Sequence, residues 1–245
     1  MRKIPLSSFS IYKHSLVYMV MGWFLLSMVG CSGGLLGLFK SKDAKELEKT
    51  PEALIQEGLD DYQRKKYEKA TEAFQKLKDR FPYNPYAIVA ELKLADGYFL
   101  NKEYLLAATA YKEFEKLHPT NEIIPYVVFQ LAMCYFKQMP AIDRDQSYAL
   151  QAVQEFDRLI KNYPQSEYIP QAQTHLITAK KKLALHEFYI GEYYFNRKNY
   201  DAALGRFEGI VQQFPDTSHP PKLEQYIQIC KEKLARTQPQ KNINP

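Results

Sequence analysis

The chain has 245 residues, 46% hydrophobic and 14% aromatic, with 19 tyrosines, one tryptophan and 10 glycines, a composition that excludes an intrinsically disordered chain. Its formal charge of +5 reflects 33 Lys and Arg against 28 Asp and Glu, but Arg2, Lys3 and Lys13 lie in an acid-free stretch, residues 1–30. Without those three the balance is 30 against 28, which excludes the basic footprint of a nucleic-acid binder.

Arg2, Lys3 and Lys13 form the positive start of a leader. Residues 16–29, LVYMVMGWFLLSMV, then run for 14 residues without a charge. That is shorter than the ~20 residues a helix needs to cross a bilayer, and it fits the core of a secretory signal peptide. Met28-Val29-Gly30-Cys31 follows and resembles the bacterial lipobox. The resemblance implies that residues 1–30 are a lipoprotein signal peptide. It also implies that Cys31 carries a thioether-linked diacylglycerol and an amide-linked acyl chain. Several acyl chains hold a protein firmly on a membrane where a single chain is marginal. Ser32 stands after the cysteine where enteric inner-membrane lipoproteins carry Asp, which implies the outer membrane. Residues 31–50 read as a lipidated tether, flexible at its Gly-rich start.

From Pro51 onward the apolar residues recur with helical spacing, and no stretch alternates as a strand does. One phrase repeats. Counted from Ala184, Gly191, Tyr194, Tyr200, Ala203, Phe207, Ile210 and Pro215 stand at places 8, 11, 17, 20, 24, 27 and 32. This is the spacing of a tetratricopeptide (TPR) repeat, a pair of antiparallel helices. Counted from Pro51, six of the same places hold Gly58, Tyr67, Ala70, Phe74, Leu77 and Pro82, while place 11 holds Asp61 with Tyr62 one place later. Counted from Ile88, they hold Ala95, Tyr98, Tyr104, Ala107, Tyr111, Phe114 and Pro119. A third copy starts at Pro125 with Ala132 and Tyr135, and resumes at Ala152, Phe156, Leu159 and Pro164 after the insertion QMPAIDRDQS, Gln138 to Ser147.

The fold class expected is all-α: a TPR-type helical-hairpin solenoid of about nine helices over residues 51–236. The repeats run about 51–82, 88–119, 125–164 and 170–215, with a capping helix at 221–236 that hides the last apolar face. Prolines at 51, 85, 125, 170 and 221 open helices at the position where a missing N–H does no harm. No breaker lies between Pro170 and Ala184, so one long helix, about Pro170 to Arg197, opens the fourth repeat; a break near Lys180–Lys182 is the alternative. Residues 237–245 read as a disordered polar tail.

No enzyme is expected. His118 and His219 sit beside prolines in turns. His175 and His186 are about 16 Å apart along one helix, too far to share a metal. GxSxG, HExxH and a phosphate-cradling glycine loop are all missing. Asp143 and Asp145 in the insertion read as a solvated loop, and Lys180 to Lys182 as a solvated face. Cys31, Cys134 and Cys230 lie far apart with no CxxC, which argues against a zinc site or a disulfide framework; Cys134 and Cys230 read as small core residues. No metal or cofactor is expected beyond the covalent lipid on Cys31. Stacked first helices leave a concave groove, and its first two repeats would present Ile55, Leu59, Tyr62, Val89, Leu92, Asp96 and Phe99. These same stripes also serve packing between repeats.

Short phrases around the repeats carry a closer likeness. Arg80-Phe81-Pro82-Tyr83-Asn84-Pro85-Tyr86 resembles the R-Y-P-F-G-P-Y of the BamD (ComL) family of outer-membrane assembly lipoproteins, with Asn84 in place of Gly. Leu117-His118-Pro119-Thr120 resembles its L-x-P-T, and Phe214-Pro215-Asp216-Thr217 its Y-P-D-T. Asp143-Arg144-Asp145 and Asn162-Tyr163-Pro164-Gln165-Ser166 resemble phrases around its third repeat. The resemblance implies an outer-membrane, periplasm-facing subunit of the β-barrel assembly machinery. Its partners would be BamA, other lipoproteins of the machinery and unfolded outer-membrane β-barrel proteins, with the membrane reached through the lipid. Carried over, the client-peptide groove would use Tyr62, Tyr83, Tyr86, Leu92, Asp96 and Phe99. The BamA-facing surface would use the long helix and the fourth repeat, with Arg197 and Arg206. The alternative is another envelope TPR lipoprotein, such as a pilotin for a pilus or secretion secretin.

Overall fold

The structure is a computed structural model, and it describes residues 49–237. Among those residues there are nine helices and no strand. They are α1 (Pro51–Gln63), α2 (Tyr67–Arg80), α3 (Pro85–Leu100), α4 (Tyr104–Leu117), α5 (Ile124–Phe136), α6 (Ser147–Asn162), α7 (Ile169–Asn196), α8 (Tyr200–Gln213) and α9 (Leu223–Thr237). The expected signal peptide, Cys31 and almost all of the expected tether lie outside the described residues. So does the tail, apart from Thr237, which ends α9.

The helix ends follow from local chemistry. Pro85, Pro125 and Pro170 occupy the first turn of α3, α5 and α7. Asn84 caps α3, its side-chain oxygen accepting from the Tyr86 N–H at 2.9 Å. Each second helix ends just before a proline: Phe81, His118, Tyr163 and Phe214 donate their N–H four residues back, to Leu77, Phe114, Leu159 and Ile210. Proline cannot continue the ladder, so the chain turns there.

Turns within the first, second and fourth hairpins are copies of one another. Lys65, Lys102 and Lys198 are left-handed, with φ of 60°, 65° and 62°. In each turn the next residue donates back across the helix end: Lys66 to Asp61, Glu103 to Tyr98 and Asn199 to Tyr194, at 2.8–3.0 Å. This double-bonded helix ending usually takes glycine at the left-handed place; here lysine occupies it three times. The third hairpin has the insertion instead.

Small residues bring the paired helices together. Gly58 lies against Phe74 and Gly191 against Phe207, while Ala95 and Ala132 fill the same repeat place with no exposure. The buried residues form three cores. Leu54, Phe74, Leu77 and Leu94 anchor the first; Tyr111, Phe114, Val127, Leu131 and Phe156 the central one; Phe207, Ile210, Leu223 and Cys230 the last. Helix α7 is continuous through Lys180–Lys182, 28 residues long and ~42 Å at 1.5 Å per residue. Its first half enters the central core through Ala172 and Leu176, and its second half the last core through Ala184. Helix α9 covers α8 by burying Leu223 and Cys230, and its Tyr226 stacks on Phe207 at 5.3 Å.

Candidate functional site

The first helices α1 and α3 carry most of the expected groove. Tyr62, near the end of α1, is partly buried on the first core. Tyr67 meets its ring edge-on at 5.6 Å, and Phe74 lies 6.5 Å away. Lys93 of α3 places its ammonium 5.1 Å above the same ring. Burial, followed by the charge of Asp96, pushes the Tyr62 hydroxyl up to about 12, so it stays a neutral phenol. Leu92 and Phe99 are partly buried beside the central core, and Phe99 takes Tyr104 edge-on at 5.4 Å.

Asp96 has a structural setting. Only 4% exposed, it receives the hydroxyls of Tyr111 (α4) and Tyr126 (α5), both at 2.8 Å, on one oxygen. Lys93 donates to the other oxygen at 2.9 Å. Burial, with the Asp96 charge next, raises both tyrosine hydroxyls well above their ordinary value. A buried carboxylate needs such donors, and here they come from three consecutive helices. Asp96 therefore ties the second repeat to the third.

Tyr83 and Tyr86 are set apart from that network. Tyr83, in the turn before α3, is 99% exposed, and Tyr86 in the first turn is 40% exposed. Val89, one turn on, is exposed as well. The structure thus joins Tyr62, Lys93 and Asp96 in one contact chain, sets Leu92 and Phe99 beside it at helical spacing, and leaves Tyr83 and Tyr86 as exposed aromatic surface. Lys93 was missed at the level of sequence, although its spacing three residues before Asp96 on one helix is a legible signal.

The two arginines expected at the other end hold separate partners. Arg197, in the α7–α8 turn, lies 4.4 Å over the ring of Tyr193. Arg206, on α8, donates to Glu187 of α7 at 2.8 Å. A cleft of ≈ 330 Å³ runs beside Arg206, bordered by Tyr194, Gly205 and Gly209. Tyr189 and Tyr193 are about half exposed one helical turn apart, so this end also shows aromatic surface.

The insertion is held rather than loose. Lys182 donates to the Met139 carbonyl at 3.2 Å, and His186 Nδ1 bonds the Ile142 carbonyl at 2.5 Å. Lys182 is therefore a loop anchor, not merely a solvated charge. Asp145 accepts from the Ser147 N–H at the start of α6, and hydrogen bonding from the Ser147 hydroxyl, then from that N–H, holds its carboxyl below the ordinary range. Both Cys134 and Cys230 are free and fully buried, and burial pushes the Cys134 thiol up to about 12. Among the described residues no group of three or more His, Cys, Asp or Glu is placed to hold a metal ion. No described helix is long and apolar enough to cross a membrane.

A family model described as "YfiO: Outer membrane lipoprotein" matches residues 47–244. The chain belongs to the YfiO family of outer membrane lipoproteins. Similar to this YfiO-family chain is the outer membrane protein assembly factor BamD of Rickettsia prowazekii, 32% identical over 196 residues, 80% of this chain and 78% of that protein. The BamD of Caulobacter vibrioides is 27% identical over 208 residues, 83% of this chain and 67% of its own. That of Vibrio cholerae is 26% identical over 192 residues, 72% and 80%. Among solved structures, MamA aligns with 76% of this chain and 82% of its own at 16% identity and a TM-score of 0.37. The repeat fold of the YfiO-family chain is read from its register and packing, not from that likeness.

Proposed function

We propose that this chain is an assembly factor of the BamD type: a non-catalytic subunit of the β-barrel assembly machinery, anchored to the outer membrane by lipid on Cys31 and facing the periplasm. The observation that carries the reading is the YfiO-family match, which spans the whole repeat region. The names of the relatives support the assembly role. The lipobox-like Met28-Val29-Gly30-Cys31 supports the anchor.

Two surfaces divide the work. The groove of α1 and α3, with Tyr83 and Tyr86 at its mouth and Tyr62, Leu92 and Phe99 along its wall, receives unfolded barrel proteins. A barrel strand is apolar on one face, and exposed aromatics can hold such a face without any bond being made or broken. The end formed by α7 and α8, with Arg197 and Arg206, meets BamA. Asp96 serves the groove by holding the two hairpins beneath it in register.

The test is purification of the full chain from native membranes in mild detergent. Co-purified BamA supports the reading. A secretin in place of BamA overturns it in favour of a pilotin-type lipoprotein.

A further inference from the structure

Helices α1 and α3 hold a single basic residue between them, Lys93. It sits among aromatic and aliphatic neighbours, its ammonium 5.1 Å over the Tyr62 ring and 2.9 Å from an Asp96 oxygen, with about a third of the side chain exposed. Tyr111 and Tyr126 give one oxygen of the Asp96 carboxylate two hydroxyl hydrogen bonds, and Lys93 serves the other oxygen with one of its N–H groups. An ammonium has three N–H donors. One is directed at Asp96, so donors remain for a second anion.

Three other acidic residues of the same helices are engaged elsewhere. Asp61 lies 3.9 Å from Lys66, Asp60 accepts from Gln56, and Glu91 is bonded to His118 at 2.6 Å. Asp96 is buried beneath the lysine. What an incoming ligand meets at this point of the groove is therefore a cation framed by apolar walls. A low-dielectric surround strengthens a charge-assisted hydrogen bond made there.

We infer that Lys93 is the anion-reading group of the groove and takes a carboxylate of the bound peptide, with an adjoining aromatic side chain packed against the Tyr62 and Phe99 wall. The inference rests on the proposed client groove and adds its chemical specificity. The carboxylate can belong to the peptide's C-terminus or to an acidic side chain near it. Asp96 acts as a positioning residue, holding the ammonium upright over the ring.

The probe is a labelled peptide of about ten residues, alternating apolar and polar side chains and ending in phenylalanine, made with a free C-terminal carboxylate or as the amide. Binding is read by fluorescence anisotropy on the full chain in mild detergent. The free acid binds roughly tenfold tighter than the amide, the scale of one charge-assisted hydrogen bond. Lys93→Met abolishes that difference and Lys93→Arg restores most of it; because Lys93→Met also takes the one charged donor from the buried Asp96, it lowers the melt, and its binding is read well below its own midpoint, where the helical signal matches the wild type. An amide-ended peptide with Glu before the phenylalanine supports a side-chain source if it binds like the acid, and a terminal source if it binds like the plain amide. Equal binding of acid and amide by the wild type, or a difference that survives in Lys93→Met, overturns the inference and leaves the groove standing. Failure of every peptide to bind removes the groove reading itself.

Discussion

Gly58 lies flat against the ring of Phe74, so closely that a Cβ on the glycine would stand 2.4 Å from Cε1 of the phenylalanine. Gly191 and Phe207 repeat the relationship at 2.4 Å. Both rings are fully buried, so neither can swing away. Alanine is otherwise favoured over glycine inside a helix by about 1 kcal/mol. Here the clash outweighs that gain, and Gly58→Ala or Gly191→Ala lowers stability by about 1–3 kcal/mol, the usual cost of overpacking. Gly205 is the control, because a Cβ there meets nothing within 4 Å. Gly205→Ala raises stability by about 0.5–1 kcal/mol. Urea unfolding followed by circular dichroism separates the two signs, and a stabilising Gly58→Ala would refute the close approach.

The Asp96 network predicts an unequal pair of losses. Asp96→Ala strands the buried Tyr111 hydroxyl and leaves Lys93 without its carboxylate. Such unpaired groups cost about 3 kcal/mol together. Tyr126→Phe removes one donor and leaves the carboxylate with two others, so it costs about 1 kcal/mol. The double variant Asp96→Ala with Tyr126→Phe then loses less than the sum of the two, because the hydroxyl has already lost its acceptor and keeps only the Gln130 amide as a partner. A fully additive double variant, measured in the same unfolding assay, would show that the two residues act independently.

These two networks mark what the sequence discloses and what it does not. The repeat register was legible because each part of it is local: a small residue, an aromatic and a stopping proline at fixed places on one hairpin. A long α7 is expected for the same reason, since nothing between Pro170 and Ala184 breaks a helix, but the sequence leaves a break near Lys180–Lys182 open, and the continuous helix closes that alternative. The role of Asp96 was not, because its partners Tyr111 and Tyr126 lie 15 and 30 residues further on and meet it only after two hairpins stack. The anchoring of the insertion by Lys182 and His186 spans 43 and 44 residues and leaves no periodic trace. Tyr83 and Tyr86 entered through family phrasing; only the structure separates their open surface from the buried Asp96 network.

His175 gives the fold an acid-sensitive point. Its ring is packed by Phe136 at 4.6 Å and Phe156 at 5.8 Å. Burial, with Lys137 second, lowers its proton affinity below the ordinary value of 6.5. The unfolded chain therefore takes up a proton, as pH falls through 6.5, that the folded chain declines. By linkage, stability is lost progressively below that value until the folded-state histidine also protonates. Thermal melts between about pH 7.5 and pH 5.5 show a steeper decline for the wild type than for His175→Gln, which cannot titrate. Parallel melting profiles for the two proteins would remove His175 as the cause.

Tyr83 offers the cleanest test of the groove, because almost none of its surface is used by the fold. At 99% exposure its removal leaves no cavity, and surface substitutions away from caps and cores change stability by only about 0.5 kcal/mol. Tyr86 keeps its role at the start of α3 through its backbone N–H, which bonds Asn84 whatever side chain it bears. Tyr83→Ala with Tyr86→Ala therefore melts like the wild type within about that margin. Its affinity for an unfolded barrel segment falls roughly tenfold, as expected when two aromatic contacts of about 0.5–1.5 kcal/mol each are lost. Tyr62→Ala with Phe99→Ala weakens the same binding but also lowers the melt, since both rings pack on the cores. Unchanged peptide affinity in the Tyr83 and Tyr86 double variant would move the client surface away from the mouth of α3, and would do so without any ambiguity from misfolding.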